Sequence, residues 1–133
     1  MAEENPGLAP EAVQEFVGKS HGDAERVKEM LAAEPALVNA AWDWGGGDWE
    51  TALGAAAHVG HREIAEHLLA HGARMDVFAA AMLGKTAVVE AMLADDPGLK
   101  GALGPHGIPL MVHAQAGGEA SAGVVALLEG LDL

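Results

Sequence analysis

The sequence predicts an all-α fold: a helical repeat solenoid of four helix pairs with enlarged, irregular finger loops. Three observations carry that expectation. A unit of alanine-rich helix, glycine and second helix recurs four times. Each second helix bears an apolar stripe that needs a neighbouring unit to cover it. A longer period lies over the short one, since "VKEMLAAEPAL" from Val27 and "VEAMLADDPGL" from Val89 align at an offset of 62. At 133 residues the chain is read as one repeat domain over 1–133, with repeats at approximately 11–37, 38–73, 74–98 and 99–133.

The elements follow in order. The first pair is expected near 11–33, turning at Gly22, with Val27, Met30 and Leu31 as its stripe. Glu34-Pro35 ends it and leads into a long connector at 38–50. The second pair, near 51–71, turns at Gly60, where glycine permits a sharp bend at low steric cost. Thr51 is placed to cap its first helix by accepting an N–H from the first turn. Ala55, Ala56 and Ala57 present almost no side chain, so this helix can lie close against the next. Ile64, Leu68 and Leu69 recur at i, i+4 and i+5. A third pair near 76–95 follows with almost no connector, turns at Gly84 and carries Val89, Met92 and Leu93. Asp96-Pro97 ends it before a second long connector at 99–107. The fourth pair, near 108–130, turns at Gly117. The outer pairs serve as caps. The closing residues Leu31, Leu69, Leu93 and Leu128 are spaced 38, 24 and 35 apart, the pattern of a two-repeat module present twice.

The second unit reads "TALGAAAHVGHREIAEHLLAHGA", Thr51 to Ala73. It resembles an ankyrin repeat of the short bacterial type. Thr51, Leu53, Ala56, Gly60, His61, Ile64, Leu68, Leu69, Gly72 and Ala73 sit where that pattern wants them. The match departs at Ala52, where proline is usual, and at Gly54, where histidine is usual. The fourth unit keeps Pro109-Leu110 but has Met111 at the histidine position. The resemblance implies a concave face, built from finger tips and the exposed side of each first helix, that holds protein partners.

Composition excludes several classes. There is no cysteine, so disulfides, thiolate metal sites and cysteine nucleophiles are absent, and a reducing, cytoplasmic setting fits. Twenty acidic side chains against seven basic ones give a net charge of −13, which repels phosphate backbones and argues against a nucleic-acid partner. The start "MAEENPGLAP" lacks the pattern of a secretory signal, and the apolar run Val77–Gly84 is too short to span a membrane. Neither serine has a nucleophile-elbow setting, and the glycine run lacks the Lys-Ser/Thr of a phosphate loop. No catalytic residue, cofactor or resident metal is assigned.

"WDWGGGDWE", Trp42 to Glu50, holds all three tryptophans of a chain with no tyrosine. Three glycines give backbone freedom for an irregular path, and long ordered loops are often functional. Trp42 continues the "LVNAAW" run and is expected to pack on its own unit. Trp44 and Trp49, interleaved with Asp48 and Glu50, suit a lysine or arginine through ion pairing and a cation–π contact. Asp48 could instead help cap the following helix. His58 is expected in the exposed last turn of the second unit's first helix. His67 and His71 are read as exposed and His61 as a structural loop residue.

The second unusual stretch is "GPHGIPLMVHAQAGG", Gly104 to Gly118. His113 falls where the repeat normally has a small buried alanine, and a buried imidazole needs a hydrogen-bond partner. That partner is His106, an acid from the 43–50 loop, or simply a backbone carbonyl. The leading expectation is a non-enzymatic module that binds a protein or peptide of basic character. Its binding residues are drawn from Trp44, Asp48, Trp49, Glu50, His58, His106 and His113. The alternative is a small-molecule or metal pocket where loops 42–50 and 104–113 meet, with His58, His106 and His113 converging on Asp48 or Glu50.

Overall fold

A computed structural model of the chain describes residues 6–130. Among them are eight α-helices and one two-stranded antiparallel sheet. The helices are α1 (Pro10–Lys19), α2 (Ala24–Ala33), α3 (Ala52–Val59), α4 (Arg62–Ala70), α5 (Val77–Met82), α6 (Thr86–Asp95), α7 (Leu110–Ala116) and α8 (Ala122–Gly130). The strands β1 (Ala41–Asp43) and β2 (Trp49–Thr51) lie between α2 and α3. No helix among the described residues is long and apolar enough to cross a membrane.

Local chemistry starts the helices where the sequence suggests. Proline stands at the first position of α1, where its missing N–H costs nothing. Asp23 caps α2 by accepting the Arg26 N–H at 3.1 Å. Thr51 caps α3 through Gly54 N–H at 3.0 Å, and Asp76 caps α5 through Ala79 N–H at 2.8 Å. At α4 the imidazole of His61 does the same for the Ile64 N–H. Each such cap contributes about 1 kcal/mol.

The core follows from the alanines. Ala55, Ala56 and Ala57 of α3 and Ala79, Ala80 and Ala81 of α5 are fully buried, so these helices approach closely. One apolar cluster gathers Phe16, Val27, Leu37, Leu53, Ile64 and Leu68; a second gathers Val89, Leu110, Val124 and Leu128. Burying each such aliphatic or aromatic side chain contributes roughly 1.5–3 kcal/mol against leaving it in water. Trp42 packs on the first cluster, as its apolar context implies.

One contact departs from a strict nearest-neighbour stack. Helix α7 packs against α5 and also against α3, one pair further back. Gly60 permits this approach, and Gly84 permits the matching approach of residues 118–121 to the turn after α5. A methyl placed on Gly60 would fall 2.3 Å from the Ala116 carbonyl oxygen, and one on Gly84 would fall 2.0 Å from that of Ala120. Both glycines also have positive φ, 74° and 77°. Only residues 71–76 join α4 to α5, and the connector before α7 meets the β1–β2 hairpin side through His106 and Asp48.

The connectors differ from expectation in one respect. The loop at 38–50 was expected to be irregular, yet it forms a hairpin in register Ala41–Thr51, Trp42–Glu50 and Asp43–Trp49. The reason lies at its tip. Gly45, Gly46 and Gly47 all have positive φ, and the Asp43 carboxylate accepts the N–H groups of Gly45 and Gly47 at 2.8 and 3.0 Å. The second connector keeps only an isolated bridge between Leu103 and Pro109.

Candidate metal centre

Four side chains from four places in the chain converge. His21 lies in the turn between α1 and α2, Glu50 in β2, His58 in the last turn of α3, and His106 in the connector before α7. One ligand-type atom from each lies within 4.8 Å of all the others. Strand alternation explains the placement of Glu50: its neighbour Trp49 points outward at 61% exposure, whereas Glu50 turns inward and is 1% exposed.

Glu50 is the hub. Its Oε1 accepts the Trp44 indole N–H at 2.8 Å and lies 3.3 Å from His21 Nε2. Its Oε2 lies 3.1 Å from His58 Nε2 and 3.3 Å from His106 Nε2. Yet Glu50 Oε2 and His58 Nε2 are both buried without a hydrogen-bond partner. They are close without being aimed at each other, the relation expected of atoms directed at a common third point.

The outer contacts fix which nitrogen faces inward. His21 Nδ1 lies 2.9 Å from the Gly18 carbonyl, which can only accept, so Nδ1 carries the proton. His106 Nδ1 lies 2.6 Å from Asp48 Oδ2, which holds it in the same tautomer. In both neutral rings the Nε2 lone pair then faces the Glu50 carboxylate. Lone pairs facing lone pairs repel unless protons or a cation lie between them.

Asp48 grips His106 twice, accepting its backbone N–H at 2.7 Å as well as its ring. His106 needs that grip. It is the only described non-glycine residue with positive φ, at 62°, a conformation costing about 1–3 kcal/mol that persists where surrounding contacts impose it. The backbone N–H and the ring of His106 hold the Asp48 carboxyl below its usual range. Burial alone would lower the pKa of His106, but the bond to Asp48 and the charge of Glu50 outweigh it and raise the value. At His58 burial dominates, and the pKa falls despite Glu50.

The expected site residues therefore separate into groups. Asp48, Glu50, His58 and His106 come together, with Trp44 bonded to the hub. Glu50 and His58 were expected on an exposed contact face; instead Glu50 is buried and the His58 side chain is 14% exposed. Asp48 does not cap α3, because Thr51 does. His113 stands apart: fully buried against Phe78, it meets the Pro109 carbonyl through Nδ1 at 2.9 Å. It supports the connector from below, with its ring packed against Gly104.

His21 escaped the sequence reading. It belongs to no spacing pattern with His58 or His106, and at the 62-residue offset its counterpart is Leu83. That break in the repeat, a polar ring where the sister unit has a leucine, was the one signal available. Gly54 lies against the same connector that carries His106: a methyl there would sit 3.3 Å from Thr51 Oγ1 and 3.4 Å from Pro105.

No protein-family model matches this sequence, and no curated protein matches it.

Proposed function

We propose that the protein binds one divalent first-row transition-metal ion through Nε2 of His21, His58 and His106 and a carboxylate oxygen of Glu50. The observation that carries this reading is the convergence of three imidazole nitrogens on one buried, incompletely bonded carboxylate. Metal–nitrogen bonds of about 2.0–2.1 Å put neighbouring ligand atoms about 3.3–3.4 Å apart in a tetrahedron and about 2.8–3.0 Å apart in an octahedron. Glu50 Oε2 lies 3.1 Å from His58 Nε2 and 3.3 Å from His106 Nε2, within that span. His21 Nε2 lies 3.3 Å from the other oxygen, Oε1, and the four ligand atoms all fall within 4.8 Å of one another. An organic cation is too large for that gap.

The donor set favours imidazole-loving ions such as zinc, iron, nickel or copper over calcium or magnesium, which take oxygen ligands. The hydrogen bonds from His21 to Gly18 and from His106 to Asp48 are outer contacts of the kind that orient metal-binding imidazoles. The acidic chain attracts cations generally, and the lack of cysteine leaves imidazole and carboxylate as its available ligands. The scaffold we infer is an ankyrin-like repeat stack in a cytoplasmic protein. Within it, the fourth unit's connector reaches the second unit's hairpin.

Cobalt(II) substitution tests the reading. The protein stripped with chelator and titrated with Co²⁺ is expected to develop visible d–d absorption saturating at one ion per chain. Glu50→Gln and His21→Ala should abolish or reshape that spectrum. A spectrum indistinguishable from aqueous Co²⁺ would overturn the proposal.

A further inference from the structure

The hairpin and the second connector also enclose, on the side away from the metal ligands, a cleft of about 380 Å³. Its walls include Asp48 and Trp49 from the hairpin, Leu103 and Pro105 from the connector, and Asp76 and Phe78 from the start of α5. None of its lining side chains is basic. Trp49 and Leu103, at 61% and 65% exposure, are the two most exposed large hydrophobic residues described, and both stand on this cleft.

We infer that this cleft docks a protein segment presenting an arginine or lysine beside aliphatic neighbours. Charge and shape select that occupant together. An exposed indole and leucine bind the methylene stem of a long basic side chain, whose charged end then needs an anion. The Asp76 carboxylate supplies it. One of its oxygens caps α5, and burial raises its pKa, so an arriving cation would compensate a carboxylate that water reaches poorly. The Trp49 ring adds a cation–π face. An acidic segment would meet Asp48, Asp76 and a chain of net charge −13, and like charges exclude it. Trp49 and Leu103 stay largely exposed on the cleft, which suits flanking residues of a chain better than a small molecule enclosed on all sides.

The inference differs from the expected contact face. Trp49 and Asp48 remain, but Glu50 and His58 are replaced by Asp76, Phe78 and Leu103. It is separable from the metal reading at Asp76, which touches none of the proposed ligands, whereas Asp48 borders both sites.

The test is an NMR titration of the ¹⁵N-labelled full chain with three capped tripeptides: Leu-Arg-Leu, Leu-norleucine-Leu and Leu-Glu-Leu. The arginine peptide is expected to shift the Trp49 indole N–H and the Gly104 amide saturably. Its affinity should exceed that of the norleucine peptide by about fivefold or more, with no saturable shift from the glutamate peptide. Asp76→Asn keeps an oxygen to cap α5 and should weaken the arginine peptide to the norleucine level while leaving Co²⁺ binding intact. Trp49→Ala should also weaken it. Equal affinity for arginine and norleucine, an unaffected Asp76→Asn variant, or no shift with arginine would overturn the inference.

Discussion

Asp48 holds His106 by both its backbone N–H, at 2.7 Å, and its ring Nδ1, at 2.6 Å. One carboxylate on the hairpin thus fixes the left-handed backbone, the tautomer and the direction of an imidazole 58 residues away. Outer-shell partners of this kind typically affect metal affinity by 10–100-fold. Asp48→Asn can still accept one of the two hydrogen bonds but not both. It is expected to weaken metal binding by roughly tenfold or more with the one-to-one stoichiometry intact. Competition against a chelator of known affinity measures this.

Backbone approach at Gly60, the C-cap of the helix that carries His58, predicts a large stability effect. Alanine there combines a φ of 74° with a methyl 2.3 Å from the Ala116 carbonyl oxygen. The chain must shift or lose the α3–α7 contact. We expect Gly60→Ala to destabilise the protein by about 2–4 kcal/mol, read by urea unfolding. Gly22→Ala, at a turn glycine without positive φ and with no atom within 4 Å of the added methyl, is the control lacking both causes and should change stability by less than about 1 kcal/mol.

His113 sets part of the pH dependence. Burial lowers its pKa below the ordinary value of 6.5, against the opposing bond to Pro109. Above pH 6.5 the ring is neutral in both folded and unfolded chains and contributes no slope. As pH falls through 6.5 the unfolded chain takes up a proton that the native ring resists, so stability falls until the lower native pKa is reached. In metal-free protein, His113→Gln is expected to flatten the loss of stability between about pH 7 and pH 5. Urea midpoints across that range check the slope. His58, lowered by burial in the same direction, leaves a residual slope in the variant.

Much of the helical framework was legible in the sequence because it rests on local chemistry. Thr51 marks a helix start, Gly60 and Gly84 mark turns, and the alanine runs mark the buried helix faces. The hairpin was misread because three glycines suggested irregularity. In fact the Asp43 carboxylate, bonding to Gly45 and Gly47, turns that freedom into a defined tip between two strands. The candidate site was half legible. Loop convergence and the involvement of Asp48, Glu50, His58 and His106 were anticipated. The inward turn of Glu50 depends on strand register, and the arrival of His21 depends on how α1 packs against α3 and β1. Neither is encoded in spacing along the chain. For His113 the sequence offered the cluster or a backbone carbonyl as partner, and the carbonyl of Pro109 is the one its Nδ1 meets.

Trp44 offers a report on the hub. Its indole N–H donates to Glu50 Oε1, the oxygen facing His21. Closing an ion onto that carboxylate changes the field at the ring, so tryptophan fluorescence is expected to change on metal addition. Trp44→Phe should remove most of that change while weakening metal binding by less than about tenfold, since one neutral hydrogen bond is worth about 1 kcal/mol.

Calorimetric titration of chelator-stripped protein with Zn²⁺ tests the central claim most directly. The account predicts one site per chain with a dissociation constant in the micromolar range or tighter. Affinity should fall by about a hundredfold or more in Glu50→Gln and His58→Ala and be largely retained in His67→Ala, whose ring lies outside the cluster. Binding of Zn²⁺ that is absent in the wild-type chain, or equal in strength and number in the Glu50→Gln and His58→Ala variants, would contradict it.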